Sequence, residues 1–543
     1  MPTVRIAVEG MTCEHCESTV VAALEGAGAT EARADFRRGE ASAAFDGDPS
    51  VLAAAVEAAG YTPGEIHAPG SFEPARSTPP VSAGGRNDYD LAVVGSGGAA
   101  IAAAIRARNL DARVAVVERA LVGGTCVNVG CVPSKTLLAA ADAFHTAACH
   151  PFAGLPTEAG STDLAALVAQ KDELVGRLRQ AKYVDLADVY GFEILAGEGR
   201  FVDGETLEVD GRPLRAGAYL VATGAEPRVP NLPGLVEAGY LTSTTAMELA
   251  EVPARLVTVG GGFVGMEQSQ LFARLGSQVT LVGRLAPRAE PELAAWMERV
   301  FADEGIEVVG ERAVAVERHG AEVTVITSGG RRLVADAVLV AAGRTPRVAA
   351  LNLEAAGVKV DGDGFVVVDE ELRTSNPRVF AAGDVTGAPQ YVYVAAAQGN
   401  LAAGNAVAGE HRRMDYTGLP SVIFTDPALA SAGMTETEAE AAGHRVETRV
   451  LELDNVPRAL ANRDTRGALK LVADATTRKV LGVHAVADGA GELMLAATYA
   501  IKFGLTVDDL ADTWAPYLTM SEALKLAAQS FKGDVKKLSC CAA

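Results

Sequence analysis

Short apolar runs and alanine-rich helical stretches alternate along most of the chain. Residues 90–94 form a largely apolar run typical of a buried strand, a helical stretch follows to about residue 108, and a second apolar run covers residues 113–117. The same order returns with a strand at residues 255–259, a glycine-rich turn, a helix through residue 274 and a strand at residues 278–282. Apolar strands joined by helices are typical of parallel sheets covered on both faces. We therefore predict an α/β fold with two Rossmann-like nucleotide-binding domains.

The first 66 residues have a different pattern. Predicted strands and helices follow one another there as βαββαβ, the ferredoxin-like order. Their bounds are about residues 4–8, 16–24, 29–35, 40–45, 50–59 and 62–66. Residues 67–87 contain four prolines, several Gly and Ser, and no periodicity. This composition predicts a flexible linker that lets the small domain, residues 1–66, move independently.

Length and charge narrow the class of protein. A chain of 543 residues is too long for one hydrophobic core, so several domains are expected. The formal net charge of −21 argues against nucleic acid or an anionic membrane surface as a partner. No apolar run is long enough to span a bilayer, and the N-terminus lacks a basic and then apolar signal pattern. We expect a soluble cytoplasmic protein.

Six of the seven cysteines fall into three close pairs. Paired cysteines in a large cytoplasmic chain point to redox or metal chemistry more than to structural disulfides. The seventh, Cys149, is interpreted as a small buried hydrophobic residue. The pairs are Cys13 with Cys16, Cys126 with Cys131, and Cys540 with Cys541.

Two glycine-rich turns follow predicted strands and open predicted helices. Such turns let the backbone approach a pyrophosphate at a helix N-terminus. In the first unit, Glu118 ends the second strand, where a carboxylate can bind the hydroxyls of an adenosine ribose. In the second unit Gly283 and Arg284 stand at that place, and an arginine without a carboxylate suits the 2′-phosphate of NADP. The motif residues are Gly95, Gly97, Gly98 and Ala100, then Gly260, Gly262 and Gly265.

The segment 123–135 reads Gly-Gly-Thr-Cys-Val-Asn-Val-Gly-Cys-Val-Pro-Ser-Lys. A helix is predicted to follow at about residues 133–143, and the pattern from residue 164 to about residue 188 is also helical. A structural disulfide or two buried thiols would also place two cysteines at this spacing. The segment resembles the redox-active segment of the flavin disulfide reductases. The resemblance implies that Cys126 is the exchange thiol, that Cys131 lies against the flavin, and that the pair cycles between disulfide and dithiol. It also implies that Lys135 lies at the flavin edge and pairs with Glu267, which could otherwise be a solvated helix residue.

Further residues of the same family pattern lie along the chain. The resemblance assigns FAD to residues 88–240 and 345–415, NADPH to residues 241–344, and an α+β dimerisation domain to residues 416–525. It also implies that the protein is a homodimer whose active sites use residues of both chains. The residues implied beside FAD are Ala100, Ala120, Thr125, Gly199, Thr223, Gly224, Asp384 and Val392.

The loop before the first predicted helix reads Gly-Met-Thr-Cys-Glu-His-Cys over residues 10–16. Thiolates of Cys13 and Cys16 at a helix N-terminus suit a soft ion that accepts two ligands. A structural zinc site would need four ligands, and a thioredoxin-like redox pair is the other reading. The loop resembles the signature of heavy-metal-associated domains, which favours binding of a soft metal.

Three features resemble one branch of the flavin reductase family, the mercuric reductases. Tyr517 stands where disulfide-substrate reductases have a histidine acid–base, and Tyr183 stands where mercuric reductases have an active-site tyrosine, although an ordinary helix tyrosine would also fit. The tail, residues 526–543, ends with Cys540 and Cys541, which chance could also place there. This resemblance implies reduction of Hg(II) to Hg(0) by NADPH through FAD.

Two other functions stay open. The first is a flavin reductase for an organic disulfide, which the missing histidine argues against because tyrosine, with its pKa near ~10, does not shuttle protons at neutral pH. The second is a non-catalytic metal chaperone or sequestering protein built on an inactive reductase. The intact redox segment and nucleotide motifs argue against it.

Overall fold

The computed structural model describes residues 3–9, 14–35, 40–67 and 87–537. The chain divides into two compact units, residues 1–86 and residues 87–543. Among the described residues, no helix has both the length and the apolar character to cross a bilayer.

The small unit is an antiparallel sheet of order β2-β3-β1-β4 with two helices. Apolar side chains of both helices, among them Val20, Leu52 and Val56, are buried in its core. The predicted βαββαβ order is confirmed. Its elements are β1 (Thr3–Glu9), α1 (Glu14–Gly26), β2 (Thr30–Asp35), β3 (Glu40–Ala44), α2 (Pro49–Ala58) and β4 (Thr62–His67).

The large unit begins with the first predicted nucleotide-binding half. Its helices are α3 (Gly98–Arg108), α4 (Gly124–Val129), α5 (Cys131–Ala148), α6 (Leu164–Arg179), α7 (Asp185–Tyr190) and α8 (Leu235–Ala238), with a π-helical turn at Gln180–Val184 between α6 and α7. Its strands are β5 (Tyr89–Val94), β6 (Val114–Glu118), β7 (Glu193–Ala196), β8 (Gly199–Phe201), β9 (Leu207–Val209), β10 (Arg212–Leu214), β11 (Ala216–Val221) and β12 (Ala225–Pro227).

The second half follows the same plan. Its strands are β13 (Leu241–Thr242), β14 (Arg255–Val259), β15 (Gln278–Val282), β16 (Glu307–Val309), β17 (Ala313–His319), β18 (Glu322–Thr327), β19 (Arg332–Ala335), β20 (Ala337–Val340) and β21 (Arg344–Pro346). Its helices are α9 (Ser243–Ala246), α10 (Phe263–Arg274) and α11 (Pro291–Asp303).

The rest of the large unit returns to the first sheet and then forms an antiparallel sheet. Its strands are β22 (Val379–Ala381), β23 (Pro420–Ile423), β24 (Ala428–Gly433), β25 (Val446–Glu452), β26 (Ala468–Asp474) and β27 (Val480–Ala487). Its helices are α12 (Val392–Ala408), α13 (Glu436–Ala441), α14 (Pro457–Asn462), α15 (Ala490–Lys502), α16 (Val507–Asp512) and α17 (Glu522–Gln529).

Three five-stranded sheets organise these elements. Two are parallel, with orders β22-β11-β5-β6-β7 and β13-β20-β14-β15-β16. In each, a glycine-rich turn leaves the central strand and opens a helix, as in doubly wound nucleotide-binding folds. The third sheet, β23-β24-β27-β26-β25, is antiparallel and packs under α15 and α17. The predicted fold class is confirmed, while the domain boundaries within residues 87–543 stay predictions.

The structure corrects three details of the sequence reading. The helix predicted at about residues 133–143 runs from Cys131 to Ala148, and Cys126 lies in a separate short helix, α4. The helix predicted over residues 164–188 is interrupted by the π-helical turn. Cys149 is exposed, not buried, because it lies at the C-terminal end of α5, where the chain leaves the helix.

Candidate active site

Two helix N-termini present the central cysteine pair. Cys126 lies in α4 and Cys131 is the first residue of α5, with Gly130 between the two helices. A Cβ at Gly130 would lie 2.9 Å from the carbonyl oxygen of Thr125, so a larger residue would push the two helices apart. Both cysteines are free thiols in this structure, which is the reduced state of the predicted redox pair.

The two thiols have different acidities. The Cys126 thiol hydrogen-bonds Cys131, and this bond lowers the pKa of Cys131 while it raises the pKa of Cys126. Burial raises both pKa values, and the charge of Lys135 lowers both. The position of Cys131 at the start of an 18-residue helix also favours its thiolate. Cys131 is therefore the thiolate of the reduced pair.

An ion pair joins the cysteine helix to the second nucleotide-binding helix. Lys135 Nζ, one turn after Cys131 in α5, lies 2.7 Å from Oε2 of Glu267 in α10. Glu267 is only 6% exposed, so it is not a solvated helix residue. Its second oxygen, Oε1, accepts a hydrogen bond of 3.0 Å from the backbone N–H of Phe424.

Tyr183 approaches the pair from the π-helical turn. Its Cγ would lie 3.6 Å from a Cβ placed on Gly123, at the start of the cysteine segment. Burial, together with the charges of Cys126 and Cys131, raises the pKa of Tyr183 to about 12. The hydroxyl therefore stays protonated near neutral pH and can donate a hydrogen bond to a thiolate or to a ligand of the pair.

The first glycine-rich turn leaves open space next to the backbone, which side chains in place of the glycines would fill. A Cβ at Gly95 would lie 2.4 Å from the carbonyl oxygen of Ala222. Gly97 is the N-cap of α3 and provides no side-chain cap, which leaves N–H groups of the helix for a phosphate. Glu118 ends β6, and its Oε2 accepts a 2.6 Å hydrogen bond from Ser96 Oγ. These features fit the pyrophosphate and ribose of FAD.

Other predicted flavin neighbours line the same region. The N–H of Ala120 donates to Glu118 Oε1 at 2.8 Å, and a Cβ on Gly98 would lie 3.1 Å from Val392 Cγ2. The buried hydroxyl of Thr223, next to Gly224, has no hydrogen-bond partner within the described part of the chain, so it is available to a bound group. Of the rest, Ala100 packs in the core of α3, Gly199 begins β8, and Thr125 lies in α4.

Asp384 lies at the start of a 3₁₀ turn that follows β22. Burial raises the pKa of its carboxyl group, while Arg344, whose Nη2 lies 3.3 Å from Asp384 Oδ2, lowers it. Helix α12 begins nearby in sequence at Val392 without a side-chain cap. A partly buried carboxylate and free helix N–H groups are suitable partners for the polar chain and ring edge of a flavin.

The second glycine-rich turn fits another dinucleotide. A Cβ at Gly260 would lie 2.3 Å from the carbonyl oxygen of Ala341, and one at Gly265 would lie 1.8 Å from the carbonyl oxygen of Gly260. Gly262 is the N-cap of α10, again without a side-chain cap. Arg284 is exposed just after β15, where a 2′-phosphate of NADP would lie.

The remaining predicted residues lie outside the described residues or in elements other than those that carry the cysteine pair. Cys13, Cys540 and Cys541 lie outside the described residues, and Cys16 belongs to α1 but its side chain is not described. Tyr517 lies between α16 and α17 and is 49% exposed. Within the described ranges, no group of three or more His, Cys, Asp or Glu side chains could hold a metal ion.

Sequence reasoning missed three residues that contact this site or its charges. Phe424 contacts both Lys135 and Glu267, and Arg344 faces Asp384. The third residue is Tyr393, whose pKa is raised by burial, by the neighbouring Tyr391 and by the charge of Cys131. A sequence signal existed for Arg344, which ends a recognisable Gly-Arg segment. Nothing local marks the two aromatic residues.

Comparison with family models covers both units. Residues 89–399 match the pyridine nucleotide-disulphide oxidoreductase model, residues 419–528 match the dimerisation domain of that family, and residues 5–62 match the heavy-metal-associated domain. In solved structures, the chain resembles the HOCl-induced flavoprotein disulfide reductase RclA from Escherichia coli, with a TM-score of 0.73 and 30% identity, over 81% of this chain and 99% of that one.

Several named relatives are more similar to this chain in sequence than RclA is. Mercuric reductase from Staphylococcus aureus is 47% identical over 99% of this chain and 99% of its own length. Mercuric reductase from Bacillus cereus is 49% identical over 99% of this chain and 87% of its own length. Mercuric reductase from Streptomyces lividans is 54% identical over 84% of this chain and 98% of its own length. The chain belongs to the mercuric reductase family of pyridine nucleotide-disulphide oxidoreductases.

Proposed function

We propose that this protein reduces Hg(II) to Hg(0) with NADPH and FAD as cofactors, and so serves in mercury resistance. The observation that carries the proposal is the Cys126–Cys131 thiol pair beside the Lys135–Glu267 ion pair, in a chain that matches mercuric reductases along 99% of its length. Two thiolates satisfy Hg(II), a soft ion content with two sulfur ligands.

The chain's own residues bind the substrate and direct the electrons. Cys126 and Cys131 take Hg(II) from two external thiolates by ligand exchange, so that no bare ion is released. FAD held beside this pair would supply two-electron transfer from NADPH, once to reduce the Cys126–Cys131 disulfide to the dithiol and then once per turnover for the Hg(II) bound by the two thiolates. The overall reaction is balanced: one NADPH, one proton and one Hg(II) dithiolate give NADP⁺, Hg(0) and two thiols.

The remaining side chains support this exchange. Tyr183, protonated at neutral pH, donates its hydroxyl hydrogen toward the thiolates during exchange. Lys135 places a positive charge beside the pair, which stabilises the Cys131 thiolate. Tyr517 would line the same exchange site, and as a tyrosine it supplies no acid–base group for an organic disulfide.

We further infer the route by which Hg(II) arrives. Cys13 and Cys16 of the small unit capture the ion or pass it on, and Cys540 and Cys541 carry it to the Cys126–Cys131 pair of the partner chain. The dimerisation domain supports a homodimer with shared active sites. We also propose a cytoplasmic location, which the acidic composition of the chain suits.

The second nucleotide is inferred to be NADPH. Gly283 stands where an acidic residue would bind the ribose hydroxyls of NAD, and the exposed Arg284 follows it. Replacing Arg284 by Ala should weaken NADPH binding much more than NADH binding.

The decisive measurement is NADPH oxidation by the flavin-loaded protein with Hg(II) and excess small thiol. Oxidation that requires Hg(II), with loss of mercury as vapour, is the expected result. Cys126→Ala and Cys131→Ala should each abolish it, whereas Cys149→Ala, at an exposed position outside the site, should leave it unchanged. Turnover of an organic disulfide in place of Hg(II) would contradict the proposal.

A further inference from the structure

Phe424 belongs to none of the motifs that define the site, yet its ring contacts the flavin-edge lysine. It is the first residue after β23, a strand of the sheet in the matched dimerisation domain. Lys135 Nζ lies 4.5 Å from the centroid of the Phe424 ring, a distance at which an ammonium is attracted to an aromatic face. The contact therefore joins the cysteine helix to a segment almost three hundred residues later.

The backbone of Phe424 binds the other half of the same ion pair. Its N–H donates to Glu267 Oε1 at 3.0 Å, while Glu267 Oε2 accepts from Lys135 Nζ at 2.7 Å. The three residues thus form a closed set of contacts. Lys135 also donates to Ser134 Oγ at 3.3 Å, so its ammonium has Glu267, Ser134 and the Phe424 ring as neighbours.

The segment that carries Phe424 is itself fixed to α10. Asp426 N–H donates to Gln270 Oε1 at 2.8 Å, and Gln270 Nε2 donates back to the Asp426 carbonyl oxygen at 2.9 Å. Arg274 Nη2 donates to the same carbonyl at 2.9 Å. Positions 267, 270 and 274 lie on one face of a helix. The ring therefore has a defined place relative to Glu267, although it is 48% exposed.

We propose that Phe424 is a positioning residue that holds the Lys135 ammonium between the Glu267 carboxylate and the Cys126–Cys131 pair. A leucine keeps the backbone bond to Glu267 but removes the aromatic face, which leaves the ammonium free to move toward water. The proposal deepens the function proposed above, because it concerns the same site, but it does not depend on the identity of the metal.

The first test measures the accessibility of Lys135 without any turnover. The protein is acetylated with a limiting amount of a succinimidyl ester, and Lys135 is quantified by mass spectrometry relative to Lys532, whose side chain is 47% exposed. We expect Phe424→Leu to raise the relative acetylation rate of Lys135 about fivefold, and Phe424→Tyr to leave it at the wild-type rate. Phe152→Leu is the matched control, since Phe152 is 42% exposed and lies outside the site. An unchanged rate in Phe424→Leu would overturn the proposal.

The second test measures reduction of the bound flavin by NADPH in a stopped-flow instrument, with no mercury present. Phe424→Leu should slow this step about tenfold without changing the dependence on NADPH concentration, and Phe424→Tyr should restore it. In a double-mutant cycle, Phe424→Leu should add little to Glu267→Gln, because both disturb the same lysine. Equal slowing by Leu and Tyr, or additive effects with Glu267→Gln, would contradict a positioning role.

These outcomes separate the two proposals. If the wild-type protein failed to reduce Hg(II), the proposed function would fall while the lysine and flavin measurements would still decide the role of Phe424. Should Phe424→Leu not fold, Phe424→Met, which is also non-aromatic and of similar volume, replaces it in both tests.

Discussion

At the scale of single residues, the two central cysteines differ because of what surrounds each sulfur atom. Cys131 accepts a hydrogen bond from the Cys126 thiol, lies at a helix N-terminus and has Lys135 one turn away. Cys126 lies in the short helix α4 and has a raised pKa. One thiolate and one thiol at neutral pH suit stepwise exchange, because the thiolate binds first and the thiol loses its proton as the second ligand bond forms.

This difference predicts a pH dependence. Titration of the reduced protein, followed by the ultraviolet absorbance of thiolate relative to Cys131→Ser, should show Cys131 ionising below the value near ~8.5 of a free cysteine. Replacing Lys135 by Met should move that midpoint upward by about half a unit to one unit, because the thiolate loses a neighbouring positive charge. Lys359→Met is the control, because Lys359 is an exposed lysine outside the site. A midpoint that does not move in Lys135→Met would show that Lys135 has no influence on the thiolate.

At the scale of elements, helix α10 connects the nucleotide turn to three other parts of the large unit. Near its end, Arg274 is buried and donates to Glu304 through Nε at 2.9 Å and Nη2 at 2.6 Å. Arg274 Nη1 also binds Asp142 of the cysteine helix α5 and Asp426 after β23. The helix thus fixes α5, and with it the cysteine pair, relative to the second nucleotide-binding sheet.

Breaking this buried pair on one side should destabilise the fold. Arg274→Met leaves the Glu304 carboxylate buried, at 4% side-chain exposure, without its main partner, which costs about 3 kcal/mol. The double variant Arg274→Met, Glu304→Leu should recover much of that loss, because it removes the carboxylate that Arg274→Met alone leaves buried without its main partner. Thermal unfolding is the measurement, and Arg413→Met is the control, because its pair with Glu370 is 69% and 73% exposed. A melting temperature unchanged in Arg274→Met would show that the pair contributes nothing to stability.

The sequence predicts an element well when residues within that element define it, and poorly when contacts with other parts of the chain define it. The strands at residues 255–259 and 278–282 agree with the structure residue for residue, because apolar periodicity and the flanking turns define them. The break between α4 and α5 was missed, since it arises from the backbone of Gly130 and its close packing on Thr125. The π-helical turn was missed because it hardly disturbs the apolar pattern.

The same distinction applies to the site. Cys126, Cys131 and Lys135 lie within ten residues, so the resemblance of one short segment to the flavin disulfide reductases was enough to assign them. The Glu267 assignment required the resemblance to the flavin reductases. Phe424 lies 157 residues from Glu267 and was missed, because only the packing of β23 beside α10 brings the two together.

At the scale of the whole molecule, the C-terminal sheet exposes large apolar side chains that a partner chain could cover. Leu495 and Tyr499 on α15 and Phe503 directly after it are between 52% and 71% exposed, and Trp514, after α16, is 96% exposed. Tyr517 follows in the same segment, 49% exposed. Such side chains on a matched dimerisation domain support a dimer in which this segment faces the other chain.

A complementation experiment would test whether the tail acts on the partner's site. Chains with Cys126→Ala have an inactive central pair and an intact tail. Chains with both Cys540→Ala and Cys541→Ala have an intact central pair and an inactive tail. If each tail serves the other chain's pair, a heterodimer of the two variants contains one complete site, and random reassociation of equal amounts restores about a quarter of wild-type sites. If each tail serves its own chain, no complete site can form and the mixture stays as inactive as the separate variants. Hg(II)-dependent NADPH oxidation, measured before and after subunit exchange with excess monothiol, distinguishes the two arrangements.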